Sequence, residues 1–475
     1  MQVKMSEFLR KSKPILNSLI QELSKEFSYV SILGSDSKGK SFSAQKRAVS
    51  AEDSFSTERG FVCRVFNGIG YSEYSFNELD LDAVKKNIRK IAKDDVKLFK
   101  KEKIEIKKYP KIKEDEITKS FFADVKQPFN SMTSEEKIKR LTAMVNKAFD
   151  HNKDLLDFTV RFEEVTVCKM FLSTKKDLEQ AYTYAIAYLI PLVKKGDIVK
   201  NTFKSFSGNC GLELLDEVDK NVESSVDAAF ELLKAEKIKP GTYDIICKQD
   251  VTGLIAHEAF GHGVEMDMFV KDRAKAKEFI DKKIASEITE MHDGASAAEQ
   301  VSSYLFDDEG VLAQDTTIIE NGILKQGICD TLSALSLGVT PTGNGKRQSF
   351  ERKAYTRMTN TFFSPGNSTL NEMIKSIKFG YFLDGYFSGM EDPKNWGIQC
   401  AVEKGYEIKD GKLTGKIVGP IFLTGYVPEL LSSISMISHK DDFKLGGSGF
   451  CGKGYKEYVR TSNGGCYIKA VGRLG

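Results

Sequence analysis

The amino-acid sequence predicts an α+β fold, in which an N-terminal α/β domain with an antiparallel sheet precedes a β-rich antiparallel domain carrying a histidine-bearing helix. Two observations predict this division. Helix and strand patterns alternate in the first part of the chain, whereas Asn-Gly and Asp-Gly pairs between strand-like runs mark hairpins in the second. The length of 475 residues accommodates two or three domains of roughly 150 residues each.

The N-terminal part combines helix and hairpin patterns. Residues 61–66 (FVCRVF) and 69–72 (IGYS) flank Asn67-Gly68 and predict two strands joined by a tight turn. Thr133 followed by Glu136 predicts a capping box at the start of a helix. Apolar residues with helical spacing predict an amphipathic helix at the N-terminus rather than a secretion signal: Phe8, Leu9, Leu16, Leu19, Ile20 and Leu23.

The domain boundary is predicted near the middle of the chain. Residues 158–173 and 181–193 are rich in β-branched and aromatic side chains and predict a pair of strands. Lys239-Pro240-Gly241 is typical of a turn between domains. The sequence therefore predicts an N-terminal domain over residues 1–238 and a C-terminal domain over residues 239–475.

The C-terminal domain contains two strong hairpin signals. Asn321-Gly322 separates the strand-like residues 318–319 from 323–324, and Asp410-Gly411 separates residues 406–409 from 412–417. Both dipeptides favour the positive φ angles of tight two-residue turns. We therefore expect consecutive antiparallel strands and few helices in this domain.

Composition and charge argue against several classes of protein. The 70 lysine and arginine residues nearly balance 67 aspartate and glutamate residues, and a net charge of +3 argues against a nucleic-acid-binding protein. The sequence has no run of about 18 apolar residues, so it predicts no membrane-spanning helix. The eight cysteines are scattered without a C-x-x-C pair, which favours the reducing cytoplasm. The lysine- and glutamate-rich stretch 97–116 predicts a solvated connector.

Two of the five histidines lie in the segment Ala256-His257-Glu258-Ala259-Phe260-Gly261-His262. Imidazoles are good zinc ligands, and a carboxylate beside the metal takes a proton from bound water. The two histidines are five residues apart, which would place their rings ~140° apart on an ideal α-helix. A π-helical turn, or an end of the helix at Gly261, would bring both rings to one metal.

This spacing leaves two questions open. The histidines also fit a capped, hydrogen-bonded pair at a helix end that binds no metal. If a metal binds, two histidines do not complete a tetrahedral site and a third ligand is needed. Candidates for that ligand are the nearby Glu265 and Asp267 and the distant Cys451, which has glycines close on both sides.

Several motifs in order resemble the TldD/PmbA (TldE) metallopeptidase family, beginning with the H-E-x-x-x-H segment described above. The other motifs follow in the family's order: Asp307–Gly310, Ile319–Leu324, Pro341–Gly345, Arg357–Thr361 and the glycine-bounded Cys451. The resemblance covers nearly the whole chain and is strongest from about residue 241 onward. Residues 389–403 (GMEDPKNWGIQCAVE) depart from the family, which has more small polar residues there.

The resemblance implies a zinc-dependent metallopeptidase of the family's catalytic kind, because all three zinc-ligand positions are present: His257, His262 and Cys451. It implies that Glu258 is the general base acting on zinc-bound water. It also implies cleavage of unfolded or extended peptides, and a partner that is either a PmbA/TldE-like chain or a second copy in a dimer. The family's fold implies a barrel-like C-terminal domain.

Six further polar residues are candidates for supporting roles. Four carboxylates are candidates either for orienting the histidine rings or for solvated turns: Glu265, Asp267, Asp308 and Glu309. Arg357 and Asn360 are candidates either for contacting substrate carbonyls or for structural hydrogen bonds within their own segment. The alternatives to a peptidase are a non-catalytic binding or regulatory subunit of a TldD/PmbA-type complex, and a hydrolase of non-peptide amides or esters.

Overall fold

The computed structural model describes residues 1–101, 108–454 and 456–475. An N-terminal part is built on one large sheet, and a C-terminal part is built on a barrel and a second sheet. This arrangement confirms the predicted α+β class with antiparallel sheets and a barrel-like C-terminal region. The division at residue 238 stays a prediction.

The N-terminal part alternates helices and strands. In chain order these are α1 (Glu7–Leu23), β1 (Val30–Ala44), β2 (Val49–Asp53), β3 (Glu58–Phe66), β4 (Tyr71–Phe76), α2 (Leu81–Lys101), β5 (Ile117–Phe122), α3 (Ser134–His151), β6 (Leu155–Ser173), β7 (Lys176–Lys195), β8 (Ile198–Asn201), β9 (Lys204–Gly208), α4 (Leu214–Lys220) and α5 (Val222–Leu232). A 3-10 turn at Phe129–Ser131 precedes α3.

The long strands β6 and β7 form the centre of the N-terminal sheet. They pair antiparallel along nearly their whole length, as the sequence predicts, and β1 pairs antiparallel with the other edge of β6. Successive side chains of a strand point to opposite faces, so apolar residues on one face of β6 pack with α3 and α5 in a buried core. The predicted capping box at the start of α3 is present, since Glu136 N–H donates to the Thr133 hydroxyl.

The predicted connector at residues 97–116 overlaps the end of helix α2 and otherwise stays a prediction. Helix α2 continues to Lys101, so the first residues of that stretch are helical. Residues 108–116 contain neither helix nor strand before β5 begins at Ile117, and residues 102–107 lie outside the described residues. The charged character of the stretch did not distinguish a solvated helix end from an irregular connector, because both favour lysine and glutamate.

The C-terminal part consists mainly of strands. In chain order the elements are β10 (Gly241–Cys247), α6 (Gln249–Leu254), α7 (Met266–Val270), β11 (Met291–Asp293), β12 (Thr316–Glu320), β13 (Ile323–Leu324), α8 (Thr331–Leu337), β14 (Gly345–Lys346), β15 (Tyr355–Thr356), β16 (Asn360–Phe363), α9 (Leu370–Lys375), β17 (Phe379–Asp392), β18 (Gly397–Lys409), β19 (Lys412–Val418), β20 (Ile421–Tyr426), α10 (Val427–Ser432), β21 (Met436–Ile437), β22 (Lys444–Lys453), β23 (Lys456–Gly465) and β24 (Ile468–Leu474). Short 3-10 turns lie at Lys275–Phe279 and Lys440–Asp442.

A closed barrel and a second sheet organise these strands. Strands β10, β17, β18, β20 and β24 form the barrel, which closes because β24 pairs with β10. The second sheet has the order β13-β12-β11-β16-β23-β22. Helix α6 contacts strands of both, including β17 and β23. The segment that follows α6 therefore lies between the barrel and the second sheet.

Both predicted hairpins of the C-terminal part are present. Asn321 and Gly322 have φ angles of 50° and 78° between β12 and β13. Asp410 and Gly411 have φ angles of 49° and 74° between β18 and β19. Positive φ at both central residues is the geometry that Asn-Gly and Asp-Gly favour. Within the described ranges, no helix combines the length and apolar character needed to cross a lipid bilayer.

Candidate metal centre

A π-helical turn brings the two histidines of the segment together. Helix α6 continues into this turn at Ile255–Gly261, and a 3-10 turn follows at His262–Val264. The N–H of His262 donates to the carbonyl of His257, five residues earlier, whereas an α-helix would use the carbonyl four residues earlier. The extra residue in the turn compensates for the five-residue spacing, and the π-helical solution predicted from the sequence is the one observed.

Gly261 allows the turn to pack closely against the rest of the domain. A Cβ on Gly261 would lie 2.2 Å from Met358 Sδ and 2.9 Å from the Ala256 carbonyl oxygen. The apolar side chains of the turn are fully buried. Burial of one large side chain such as Phe260 contributes about 1.5–3 kcal/mol, so packing holds the turn in place.

His257, His262 and Glu258 converge at the turn. The two imidazole rings have centroids 5.2 Å apart and lie nearly perpendicular, at 81°. Glu258 Oε1 lies 4.0 Å from His257 Nε2, and Glu258 Oε2 lies 3.9 Å from His262 Nε2. The carboxylate therefore lies beside the same nitrogen of each ring.

Cys451 joins this group from strand β22. Its Sγ lies 3.4 Å from His262 Nε2, and the candidate ligand atoms of His257, His262 and Cys451 all lie within 4.8 Å of one another. Over the residues that the structure describes, this is the one cluster of three such groups able to hold a metal ion. Of the three candidates for the third ligand, the structure brings the distant cysteine to the histidines.

The electrostatics of the cluster favour a thiolate. Burial raises the pKa of Cys451, but the adjacent His262 and His257 outweigh burial and hold the pKa well below its ordinary value. Burial lowers the pKa of His262, but Cys451 and then Glu265 outweigh it and raise the pKa well above its ordinary value. These opposite shifts favour a thiolate beside a protonated imidazole.

The donor set suits a zinc ion. Ligands held 2.0–2.3 Å from a tetrahedral zinc ion lie about 3.3–3.8 Å apart, close to the observed spacing of Cys451 Sγ and His262 Nε2. Two imidazoles and one thiolate leave a fourth position for water or substrate. His257 Nδ1 is buried without a hydrogen-bond partner among the described residues.

Glu265 and Asp267, two of the candidate supporting carboxylates, lie next to the cluster. Glu265 Oε2 lies 3.2 Å from Nδ1 of His262, on the side of the ring away from Glu258. Asp267 contacts no imidazole and instead accepts hydrogen bonds from Lys453 at 2.6 Å and Lys271 at 3.1 Å. Glu265 is therefore placed to orient the ring of His262. Asp267 contacts the strand that carries Cys451 through Lys453.

Asp308 and Glu309 are placed instead at the contact between the N-terminal and C-terminal parts. Asp308 pairs with Lys169 of β6 and accepts a hydrogen bond from the N–H of Arg347. Glu309 Oε1 pairs with Arg64 of β3 at 2.6 Å, and its other oxygen accepts from the N–H of Thr331. Neither carboxylate is a solvated turn residue, and their contacts do not support orientation of the histidine rings.

Arg357 and Asn360 are both fully buried. Arg357 donates to the backbone carbonyls of Cys451 and Glu457. The amide of Asn360 donates to the carbonyls of Gly294 and Ala298 and to the hydroxyl of Ser303. These contacts support structural hydrogen bonding, the second of the two predicted roles, and leave no exposed surface for a substrate.

Three residues that the sequence analysis did not single out lie against the site. Gly389 of β17 packs on Glu258, and Glu391 of the same strand accepts a hydrogen bond from Gly263 N–H at 2.9 Å. Burial raises the pKa of Glu391 well above its ordinary value, although His262 opposes the shift. The third of these residues is Lys453 of β22, the lysine that contacts Asp267. The departure of residues 389–403 from the family's pattern was the one sequence signal for the first two.

Comparisons with known proteins agree with the fold. Residues 240–470 match the family model of the PmbA/TldA metallopeptidase C-terminal domain. A metalloprotease of Methanothermobacter thermautotrophicus is 30% identical over 314 residues, which cover 66% of this chain and 68% of that protein. A zinc metalloprotease TldD homolog of Saccharolobus solfataricus is 29% identical over 341 residues, which cover 70% and 74%. TldE of Thermococcus kodakarensis, at 20% identity, has the same fold with a TM-score of 0.73 over 97% of this chain and 99% of that chain.

The α+β fold and its buried His–His–Cys cluster beside a carboxylate define the class as a metallopeptidase. The chain belongs to the TldD/PmbA family of metallopeptidases. The family model, the relatives and the solved structure therefore confirm the family, the fold class and the enzyme class that the sequence analysis predicted. The roles of individual site residues stay predictions.

Proposed function

We propose that the chain is a zinc-dependent peptidase of unfolded or extended peptides, in which His257, His262 and Cys451 hold zinc and Glu258 is the general base. The convergence of these four side chains is the observation that carries the proposal. The name of the Saccharolobus relative, a zinc metalloprotease, supports zinc as the metal. Zinc held there would lower the pKa of a coordinated water to about 7 and polarise a scissile carbonyl.

Glu258 is the proposed proton carrier. Its carboxylate lies beside Nε2 of both histidines, and its side chain is 22% exposed, so a substrate can reach it. In the proposed reaction Glu258 accepts the proton of the attacking water and then delivers it to the leaving amine. Gly389 packs against its Cβ and Cγ, which restricts the carboxylate to this position.

The position of β22 supports an extended substrate. This strand carries Cys451 and is the outer strand of its sheet. An extended peptide can add to a sheet edge through backbone hydrogen bonds, which places few demands on its side chains. Gly447 and Ser448 of β22 already contact β9 and β7, so a peptide would add along the part of β22 near Cys451, beside the metal centre. Only an unfolded segment can adopt that conformation.

A partner chain and a reducing compartment are further parts of the proposal. We infer that the active form is a dimer with a TldE-like chain or with a second copy, which the shared fold with TldE of Thermococcus kodakarensis supports. All eight cysteines are free thiols, which supports a cytoplasmic location. Since the charge is nearly balanced, we do not propose a nucleic-acid partner.

Paired variants test the proposal. We expect Glu258→Gln to keep stoichiometric zinc and to lose hydrolysis of an unstructured peptide by about 100-fold or more. We expect His257→Ala to lose both zinc and activity. Glu287→Gln, at an exposed carboxylate on the surface, is the matched control and should match wild type. Zinc is measured by elemental analysis and cleavage by mass spectrometry, with and without a TldE-like chain.

The outcomes separate the alternatives. Full activity of Glu258→Gln would remove Glu258 from the reaction. Absence of peptide cleavage with either partner, together with zinc-independent association, would favour the non-catalytic subunit. Turnover of small esters without cleavage of unfolded protein would favour a non-peptide substrate.

A further inference from the structure

The position of Cys451 is not set by the sequence around the histidines, because it follows His262 by 189 residues. Cys451 lies on the edge strand β22, and the pairing of β22 with β23 is irregular between Cys451 and Lys453. Cys451 itself pairs with Val459, so regular sheet pairing is interrupted directly after the cysteine. Two cationic side chains contact this part of the strand.

Arg357 is the first of these cations. Its guanidinium donates to the carbonyl oxygen of Cys451 at 2.6 Å and to the carbonyl of Glu457, so it joins both strands of the hairpin at the cysteine. Its Nε lies 3.5 Å from Glu265 Oε1. The side chain has no exposed surface, and a charge buried in this way needs a partner.

Lys453 is the second cation, two residues beyond the cysteine. Its ammonium lies 2.6 Å from Asp267 Oδ1, 3.2 Å from Glu265 Oε2 and 3.1 Å from the carbonyl oxygen of Thr356. The two carboxylates belong to the segment that follows His262. Lys453 therefore ties the end of β22 to the histidine-bearing segment.

Glu265 is the point where these contacts meet. It is almost completely buried, and it contacts Nδ1 of His262 as well as both cations. One carboxylate is thus in contact with a candidate metal ligand and, through Arg357 and Lys453, with the strand that carries Cys451. The relative position of imidazole and thiol depends on this group of charges.

We propose that Lys453 and Arg357 are positioning residues for the metal centre, which hold the Cys451 thiol at the distance from His262 that a metal requires. The inference rests on the proposed function, since it assumes that the cluster binds metal. Neither residue contacts the reacting atoms. Arg357 acts by anchoring β22 to Glu265, and Lys453 acts by anchoring it to Glu265 and Asp267, so the site is formed before the metal arrives.

Lys453→Met tests the proposal, with Lys271→Met as the matched control. Both variants remove an ammonium that contacts Asp267, but Lys271 does not contact Glu265 and is half exposed. For Lys453→Met we expect zinc affinity, measured by chelator competition, to fall by about 10- to 100-fold. We also expect the thiolate-to-cobalt charge-transfer band of the Co²⁺-loaded protein to weaken. Lys271→Met should match wild type in both measurements.

The spectra distinguish failure of this inference from failure of the proposed function. A wild-type protein without the thiolate-to-cobalt band would overturn the metal centre itself. A wild-type band that folded Lys453→Met retains, with unchanged zinc affinity, would overturn only the positioning role. If Lys453→Met does not fold by circular dichroism, Asp267→Asn tests the same link by removing the carboxylate closest to Lys453. Zinc affinity and spectrum unchanged in Asp267→Asn would also overturn the inference.

Discussion

Gly389 lies directly against Glu258: a Cβ on Gly389 would come within 2.5 Å of Glu258 Cγ and 2.7 Å of Glu258 Cβ. The strand β17 can approach the proposed general base this closely only because it has no side chain at that position. Strand β17 of the barrel therefore packs closely against the Glu258 side chain, although 130 residues of sequence separate Gly389 from Glu258.

Gly389→Ala is expected to displace Glu258 without disturbing the metal ligands. A shift of about 1 Å at a reacting group costs about 100-fold in rate, so we expect kcat to fall by about that factor while zinc content stays at the wild-type level. Gly397→Ala is the matched control, because a Cβ there would meet no atom within 4 Å. Steady-state kinetics on an unstructured peptide and elemental analysis check the prediction, and wild-type kcat in Gly389→Ala would contradict it.

Cys451 is expected to be the most reactive thiol in the metal-free protein. The neighbouring His262 and His257 outweigh burial and hold its pKa well below the ordinary value, whereas burial raises the pKa of Cys63 to about 12 and of Cys466 to about 11. Only a thiolate reacts rapidly with an alkylating agent. Brief treatment with iodoacetamide at neutral pH should label Cys451 first, and added zinc should protect it.

Peptide mass spectrometry measures this labelling, with Cys466 as the internal control. Its slow labelling should be the same with and without zinc, because it lies outside the cluster. Labelling of Cys451 no faster than Cys466 would contradict the prediction.

Arg64→Met is expected to destabilise the protein without affecting the metal. Arg64 is a buried cation that pairs with Glu73 in its own part of the chain and with Glu309 in the other. Removing one partner of a buried ion pair leaves an uncompensated charge and costs about 3–5 kcal/mol of the free energy of unfolding. Urea denaturation measures the loss. Lys11→Met, at an exposed surface pair, is the control and should change stability by less than about 0.5 kcal/mol.

The same variant tests the role of Glu309. If Glu309 serves the contact between the two parts of the chain, zinc content in folded Arg64→Met should equal that of wild type. If folded Arg64→Met instead contained less zinc than wild type, in proportion to its loss of stability, Glu309 would again be a candidate for a role at the metal centre.

The features predictable from the sequence are those with a local physical cause. The five-residue spacing of His257 and His262 is incompatible with one face of an α-helix. It predicted either a π-helical turn or a helix end at Gly261, and the structure has the π-helical turn. Asn321-Gly322 and Asp410-Gly411 predicted their hairpins because these dipeptides favour positive φ angles.

Other features could not be predicted from the spacing of apolar residues. Apolar residues with helical spacing between positions 218 and 233 are typical of one helix, but the structure has two, α4 and α5, with Asn221 between them. The amide of Asn221 donates to the carbonyl of Glu217, a side-chain bond that competes with helical pairing. Gly389 and Lys453 were missed for a different reason: their importance comes from the residues that they meet across the fold.

The chain order of the proposed ligands has a consequence for biosynthesis. After His262 has been incorporated into the nascent chain, the ribosome must add 189 more residues to reach Cys451. Under the proposed assignment, a nascent or prematurely terminated polypeptide lacks a complete centre, and proteolytic capacity arises only after the strand carrying Cys451 has been translated and incorporated. Under the same assignment, an incomplete chain has no peptidase activity toward other newly synthesised polypeptides.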